Sequence, residues 1–317
     1  MRKWYPYIEF MKIFAAICIV AMNISPFSKI NFEFNMMFIQ VVCKLAFPFF
    51  MMMISFYLFH SRYLSVDEIK KTYLSFIKGC VVSIVIYIIF IILNRYFIQS
   101  IITDQIFYIL SFFPSVMIGF TLILILKTYF SQYISLIITI IFYIVGVIGN
   151  DYNVISLISI NSFLIECLYH GIFFVPLLMM LATMIQEKYK KKWMFYLLFL
   201  ISFFIMCLEV RYFHNSTVIQ LNDMYFLLPI VMYFLFSLLA CYQDNRCADF
   251  SNISFWIIMI HPLMLVNVIM IGNYLDCLPL IQNNFIQFIS VLFYSIVFAC
   301  IMNKQKLGCD TYEKCHV

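Results

Sequence analysis

The sequence predicts an all-α integral membrane protein of about ten transmembrane helices with both termini cytoplasmic, on three observations. Hydrophobic types make up 65% of the 317 residues and charged types only 11%, against about 45–50% and about 25% in an ordinary soluble domain. The apolar residues gather into runs of roughly the 20 residues that a bilayer core requires. The lysines and arginines between those runs fall almost entirely on one side.

Ten runs can be read in order. Phe10–Ser28 follows Arg2 and Lys3, with Trp4, Tyr5 and Tyr7 as an interfacial aromatic anchor. No small-residue cleavage site precedes the next run, so the first helix is expected to be retained rather than removed as a signal peptide. Met36–Phe59 carries Lys44 and Pro48, and Tyr73–Leu93 follows the basic pair Lys70-Lys71. Gln105–Leu126 is interrupted by Pro114, and Tyr133–Gly149 follows. Gly171–Gln186, Trp193–Tyr212, Met224–Tyr242, Ile253–Gly272 and Ile281–Met302 complete the set. Their charges test the count. Fifteen of the 20 basic residues then lie on the inner side, only Lys29, Arg95 and Arg211 on the outer, and Lys12 and Lys44 within spans. A missed or extra helix would scramble that split. The net charge of +5 therefore reflects topology rather than nucleic-acid binding.

The whole chain, 1–317, reads as one transmembrane domain in the cell membrane, in contact with membrane lipids. Its longest stretch between runs, about Asn150–His170, is itself rich in Ile and Leu and reads as a re-entrant, interfacial or bundle-packed segment. Eleven cysteines include no CxxC pair, and most sit in apolar runs as small hydrophobes, so no metal is expected. Walker, HExxH and nucleophile-elbow motifs are absent.

Function is carried by the polar residues inside the runs, because a charge at that depth costs at least about 2.5–3.5 kcal/mol. Glu9 and Lys12 are three apart on one helix face and can pair. Asn23 follows Lys12 by eleven residues, which returns it to within about 20° of the same face and about 16 Å along the axis. The bland reading is a snorkelling pair plus an interhelical asparagine. Lys44 has no acidic residue within a turn, so it needs a partner from another helix or a bound anion. His261 precedes Pro262, which frees a carbonyl nearby; a structural, hydrogen-bonded imidazole is the plainer alternative to a functional one. Glu209 and Arg211 sit two apart on different faces, Asp223 precedes Met224-Tyr225 as a possible cap, and Tyr169-His170-Gly171 opens the sixth run at the outer side.

Together these positions resemble the acyltransferase 3 family of multi-pass membrane O-acyltransferases. They look most like the membrane domain of membrane-bound serine racemases of vancomycin-resistance clusters. The family's acidic residue, basic residue and histidine correspond to Glu9, Lys12 and Asn23. Its second-helix Arg, aromatic run and Ser-Gly-Tyr correspond to Lys44, Phe47-Pro48-Phe49-Phe50 and Ser55-Phe56-Tyr57. Further likenesses are Ser111-Phe112-Phe113-Pro114, Leu168-Tyr169-His170-Gly171-Ile172-Phe173-Phe174, the segment around Glu209, Asp223-Met224-Tyr225, Ile260-His261-Pro262 and Ile281-Gln282-Asn283-Asn284.

The resemblance implies transfer of an acyl group, commonly acetyl from acetyl-CoA, to a hydroxyl of an extracytoplasmic glycan or other cell-envelope acceptor. By that analogy Glu9, Asn23 and His261 occupy catalytic places, and Lys12, Lys44, Ser55 and Tyr57 the acyl-CoA site. His170, Glu209, Asp223 and Tyr225 would meet the acceptor. Asn23 cannot take a full proton, and loss of a general base costs about 10²–10⁴-fold, so ordinary turnover is expected to be weak or absent unless His261 or His170 reaches the same cavity. Lys44 lacks the bidentate fork of arginine. The rival expectation is a non-catalytic module that binds or transports a small molecule such as an amino acid; a scaffold protein is a third. Racemisation itself is not expected, since the chain shows no room for a racemase domain and no pyridoxal-phosphate lysine context.

Overall fold

The computed structural model describes residues 5–59, 66–97, 104–151, 168–185, 192–215, 224–242, 251–275 and 283–314. The described chain is helical: α1 (Pro6–Ile24), α2 (Phe32–Met37), α3 (Ala46–Phe59), α4 (Val66–Phe97), α5 (Asp104–Tyr129), α6 (Gln132–Asp151), α7 (Val175–Thr183), α8 (Lys192–Asn215), α9 (Leu228–Ala240), α10 (Ser251–Tyr274) and α11 (Asn284–Lys314). Among the described residues each apolar run lies mainly on helix. Among the described residues six helical stretches are long and apolar enough to cross a membrane, including the continuous Phe32–Phe59, and Gln132–Ile148, His170–Thr183 and Leu228–Ala240 are shorter apolar helices. The segment expected to be re-entrant lies almost wholly outside the described residues.

Two of the runs are not plain α-helix, and in each a proline follows the irregular turn. Pro48 has no N–H to give the Lys44 carbonyl, and its ring crowds that carbonyl. The turn ahead of it passes through a π segment (Phe38–Val42) and a 3₁₀ segment (Cys43–Leu45) before α3 begins. Pro176 has the same effect: a π segment, His170–Phe174, precedes α7. In lipid a freed backbone group must be satisfied by such local adjustment, since no water is there to do it.

The chain divides into two compact units that interleave along the sequence: Met1–Ile8, Phe47–Ser83 and Phe107–Asn245 in one, and Glu9–Ala46, Ile84–Ile106 and Arg246–Val317 in the other. The first is built on aromatic packing and close helix approach. Phe49 and Phe56 of α3 meet Phe236 of α9 at 5.7 and 5.4 Å between ring centroids. Tyr73 and Phe76 of α4 pack on Phe120 of α5. Gly119 and Gly171 let α5 and the second π segment touch through backbone. A Cβ on Gly119 would lie 2.4 Å from Val175 Cγ1, and one on Gly171 would lie 2.8 Å from Ile118 Cβ.

The second unit packs α1 against α10 and α11 through Ala16, Val20 and Ile24, Ile257, Leu265 and Val268, and Val291 and Ala299. Outside these cores large apolar side chains remain exposed in helical rows, such as Leu197, Ile201, Phe204 and Leu208 on α8 and Ile286, Ile289, Phe293, Val297 and Ile301 on α11. Water would not tolerate rows of that length, whereas acyl chains complete them.

Candidate functional site

The polar residues of the second unit are presented by α1, α10 and the irregular turn before α3. Glu9 and Lys12, one turn apart on α1, are both buried, and Lys12 Nζ donates to Glu9 Oε1 at 2.5 Å. The spacing alone anticipated this pair. Burial of both partners makes each dependent on the other, because an isolated charge there would be strongly destabilising.

In the last turn of α1, the helical stripe expected from Lys12 reaches Asn23, which is half-buried. Its Nδ2 lies 2.5 Å from Nε2 of His261, a residue 238 positions later on α10. The imidazole is buried, with its Nδ1 2.7 Å from the Ile258 carbonyl. A carbonyl only accepts, so Nδ1 carries the proton; neutral imidazole then offers the Nε2 lone pair to the Asn23 amide, which donates. An acceptor nitrogen thus faces the Asn23 amide.

The C-terminal end of α1 is held by residues that the sequence reading left without a role. Ser25 has φ of 53°, the left-handed conformation that closes many helices but costs a side-chain-bearing residue. Asn284 Nδ2 is shared among the carbonyls of Ile24 and Ser25, both at 3.3 Å, and the Ser28 hydroxyl at 2.7 Å. Asn35 Oδ1 accepts from the Phe27 N–H at 3.0 Å. The signal was present in Ser25-Pro26, since the residue before a proline is biased away from helix, but the partner on α11 was not legible.

Lys44 is buried within the 3₁₀ turn ahead of Pro48, and Gln40 is buried in the π segment before it. The remaining candidates belong to the first unit, where Ser55 and Glu209 hold backbone groups of other helices. Ser55 donates to the Met179 carbonyl at 2.7 Å, tying α3 to α7. Tyr57 packs edge-on against Tyr5 and Phe56. Glu209 of α8 accepts from the Phe226 and Leu227 N–H groups at 2.7 and 3.2 Å, immediately ahead of α9. The sequence offered Asp223 as the cap there; Asp223 lies outside the described residues, and Glu209 is the carboxylate that meets those donors. Tyr225 is buried beside it, its carbonyl accepting from the Tyr143 hydroxyl at 2.6 Å. His170, expected at an open outer mouth, is buried in the second π segment with its ring edge-on to Tyr169 and Phe174. No group of three His, Cys, Asp or Glu among the described residues has metal-binding geometry.

Comparison with known proteins gives relatives of one kind. The chain is 25% identical over 325 residues to a serine/alanine racemase of Enterococcus gallinarum, a match covering 94% of this chain and 46% of the relative. Two amino-acid racemases of Enterococcus faecalis are 24% and 30% identical, covering 93% and 94% of this chain and 45% of each relative. No family model matches, and neither does any solved structure. The acyltransferase 3 likeness therefore rests on the quoted motifs alone. The chain spans less than half the length of the curated relatives it matches, nearly all of it aligned with proteins named as racemases of amino acids.

Proposed function

We propose that this chain is a membrane module that binds a small amino acid, serine or alanine, and passes it across the bilayer, with ten spans and both termini in the cytoplasm. One observation carries the reading: 94% of this apolar chain aligns with part of a protein named for serine and alanine, and its most distinctive polar contact is the Asn23–His261 pair. That pair supplies what a small zwitterion with a hydroxyl can use. The amide both donates and accepts, and Nε2 accepts. Exposed apolar rows on α8 and α11 support lipid contact.

The test is uptake of radiolabelled L-serine into proteoliposomes carrying the purified protein, compared with Asn23→Leu. Saturable uptake that falls at least tenfold in the variant is the expected result. Uptake no faster than in empty vesicles would remove the reading.

The same pair favours a second reading, acyl transfer. Here His261 Nε2 would take the acceptor hydroxyl's proton as its oxygen attacks the acetyl-CoA thioester carbonyl. The C–S bond then breaks, and the coenzyme A thiolate leaves and takes up a proton. His261 would thus replace the base missing at Asn23, with Lys12 and Lys44 toward the acyl-CoA phosphates and an extracytoplasmic glycan as acceptor. Acceptor-dependent release of coenzyme A by wild type, lost in His261→Gln, is its signature. Serine uptake without thioester cleavage decides for the first reading.

A further inference from the structure

We infer that Pro262 is a positioning residue for His261: by withholding an N–H from the Ile258 carbonyl, it fixes the imidazole as a hydrogen-bond acceptor toward Asn23. This rests on the site described above but on neither reading of what the site handles.

In an unbroken α-helix the N–H of residue 262 would donate to the carbonyl of residue 258, four residues earlier. Proline has none to give, and in an apolar setting the stranded carbonyl needs another donor. α10 runs through Pro262 without ending, from Ser251 to Tyr274. The donor at hand is the side chain one residue before the proline. His261 Nδ1 lies 2.7 Å from the Ile258 oxygen. Because that oxygen only accepts, the proton is held on Nδ1 and the lone pair is left on Nε2, 2.5 Å from the Asn23 amide.

The consequence is chemical. A neutral histidine with no such restraint exchanges between two tautomers, one of which would present N–H to Asn23 and to anything displacing its amide. With the carbonyl in place only the acceptor form is presented. The half-buried amide is the replaceable partner, so an entering ligand is met as a donor: it must bring a hydroxyl or ammonium hydrogen to Nε2. A bare carboxylate or phosphate would find a lone pair facing it.

The experiment is ¹⁵N NMR of the histidine side chains in this chain in lipid nanodiscs, with no ligand. The chain has 5 histidines, and the His261 signals are assigned by their loss in His261→Gln. Wild type should show one neutral tautomer, protonated at Nδ1 and bare at Nε2. Asn23→Ala should keep that tautomer, since the restraint comes from the Ile258 carbonyl. Pro262→Ala returns the backbone N–H and should lose it, giving exchange-averaged or Nε2-protonated signals. A wild-type imidazole protonated at Nε2 or at both nitrogens would overturn the inference even if Pro262→Ala failed to fold. So would a tautomer that follows Asn23→Ala, or one that survives in folded Pro262→Ala. Neither serine uptake nor thioester cleavage enters the readout, so the functional readings can fail while this holds.

Discussion

Single side chains in this protein are placed where a small change has a large and separable effect. At Asn23 the amide meets His261 across 238 residues of sequence. Replacing it by leucine leaves Nε2 without its donor and should abolish uptake with little loss of folded protein in size-exclusion profiles. Asn23→His instead sets two imidazoles face to face; if acyl transfer is the chemistry, thioester cleavage should rise by one to two orders of magnitude, measured as thiol release. Two residues on, Ser25 stands at φ 53°. Glycine has no Cβ penalty there, so Ser25→Gly should stabilise by about 1 kcal/mol, seen as a higher midpoint in detergent unfolding. An unchanged or lower midpoint would show that the Asn284 clamp and Pro26 already hold the turn without strain.

Helices are held in place by a few specific devices, and each sets its own expectation. Gly119 has no room for a side chain against Val175. Gly119→Leu should therefore force α5 off the second π segment, at a cost of at least 1–3 kcal/mol, and reduce the yield of monodisperse protein. Glu209 occupies the two N–H groups ahead of α9. Glu209→Ala should destabilise by about 1–2 kcal/mol, and Glu209→Gln, which keeps an acceptor, by less; thermal melts in detergent give the order. Were Glu209 instead a substrate ligand, both variants would melt like wild type while losing function. The elements show how local rules worked and failed. Among the described residues the apolar runs marked the long helices, because in lipid a spanning backbone has no alternative to internal hydrogen bonding. Prolines 48 and 176 were visible in the sequence, yet the π and 3₁₀ turns ahead of them were not. A proline says that a backbone bond is lost, while the neighbours decide how it is replaced.

On the scale of the whole chain, topology is the property with the most direct test. Reporter fusions at the two ends should both fold as cytoplasmic proteins, and a fusion within 150–168 should report the opposite side. Ends on different sides would mean an odd number of spans and would remove the ten-helix count. The exposed rows on α4, α8 and α11, such as Ile77, Val81, Ile88 and Ile92 on the first of these, agree with lipid on those faces.

What the amino-acid sequence determined by itself is the class of molecule and the Glu9–Lys12 pair, since composition, run length and i,i+3 spacing act locally and need no knowledge of distant segments. It also marked His261-Pro262 as a place where a carbonyl is freed. Only the tertiary structure decided that this imidazole meets Asn23, that Asn284 closes the end of α1, and that Ser55 and Glu209 hold helices. Those outcomes depend on which helices lie side by side, and helix neighbours are chosen by packing across the whole bundle rather than by any spacing along the chain.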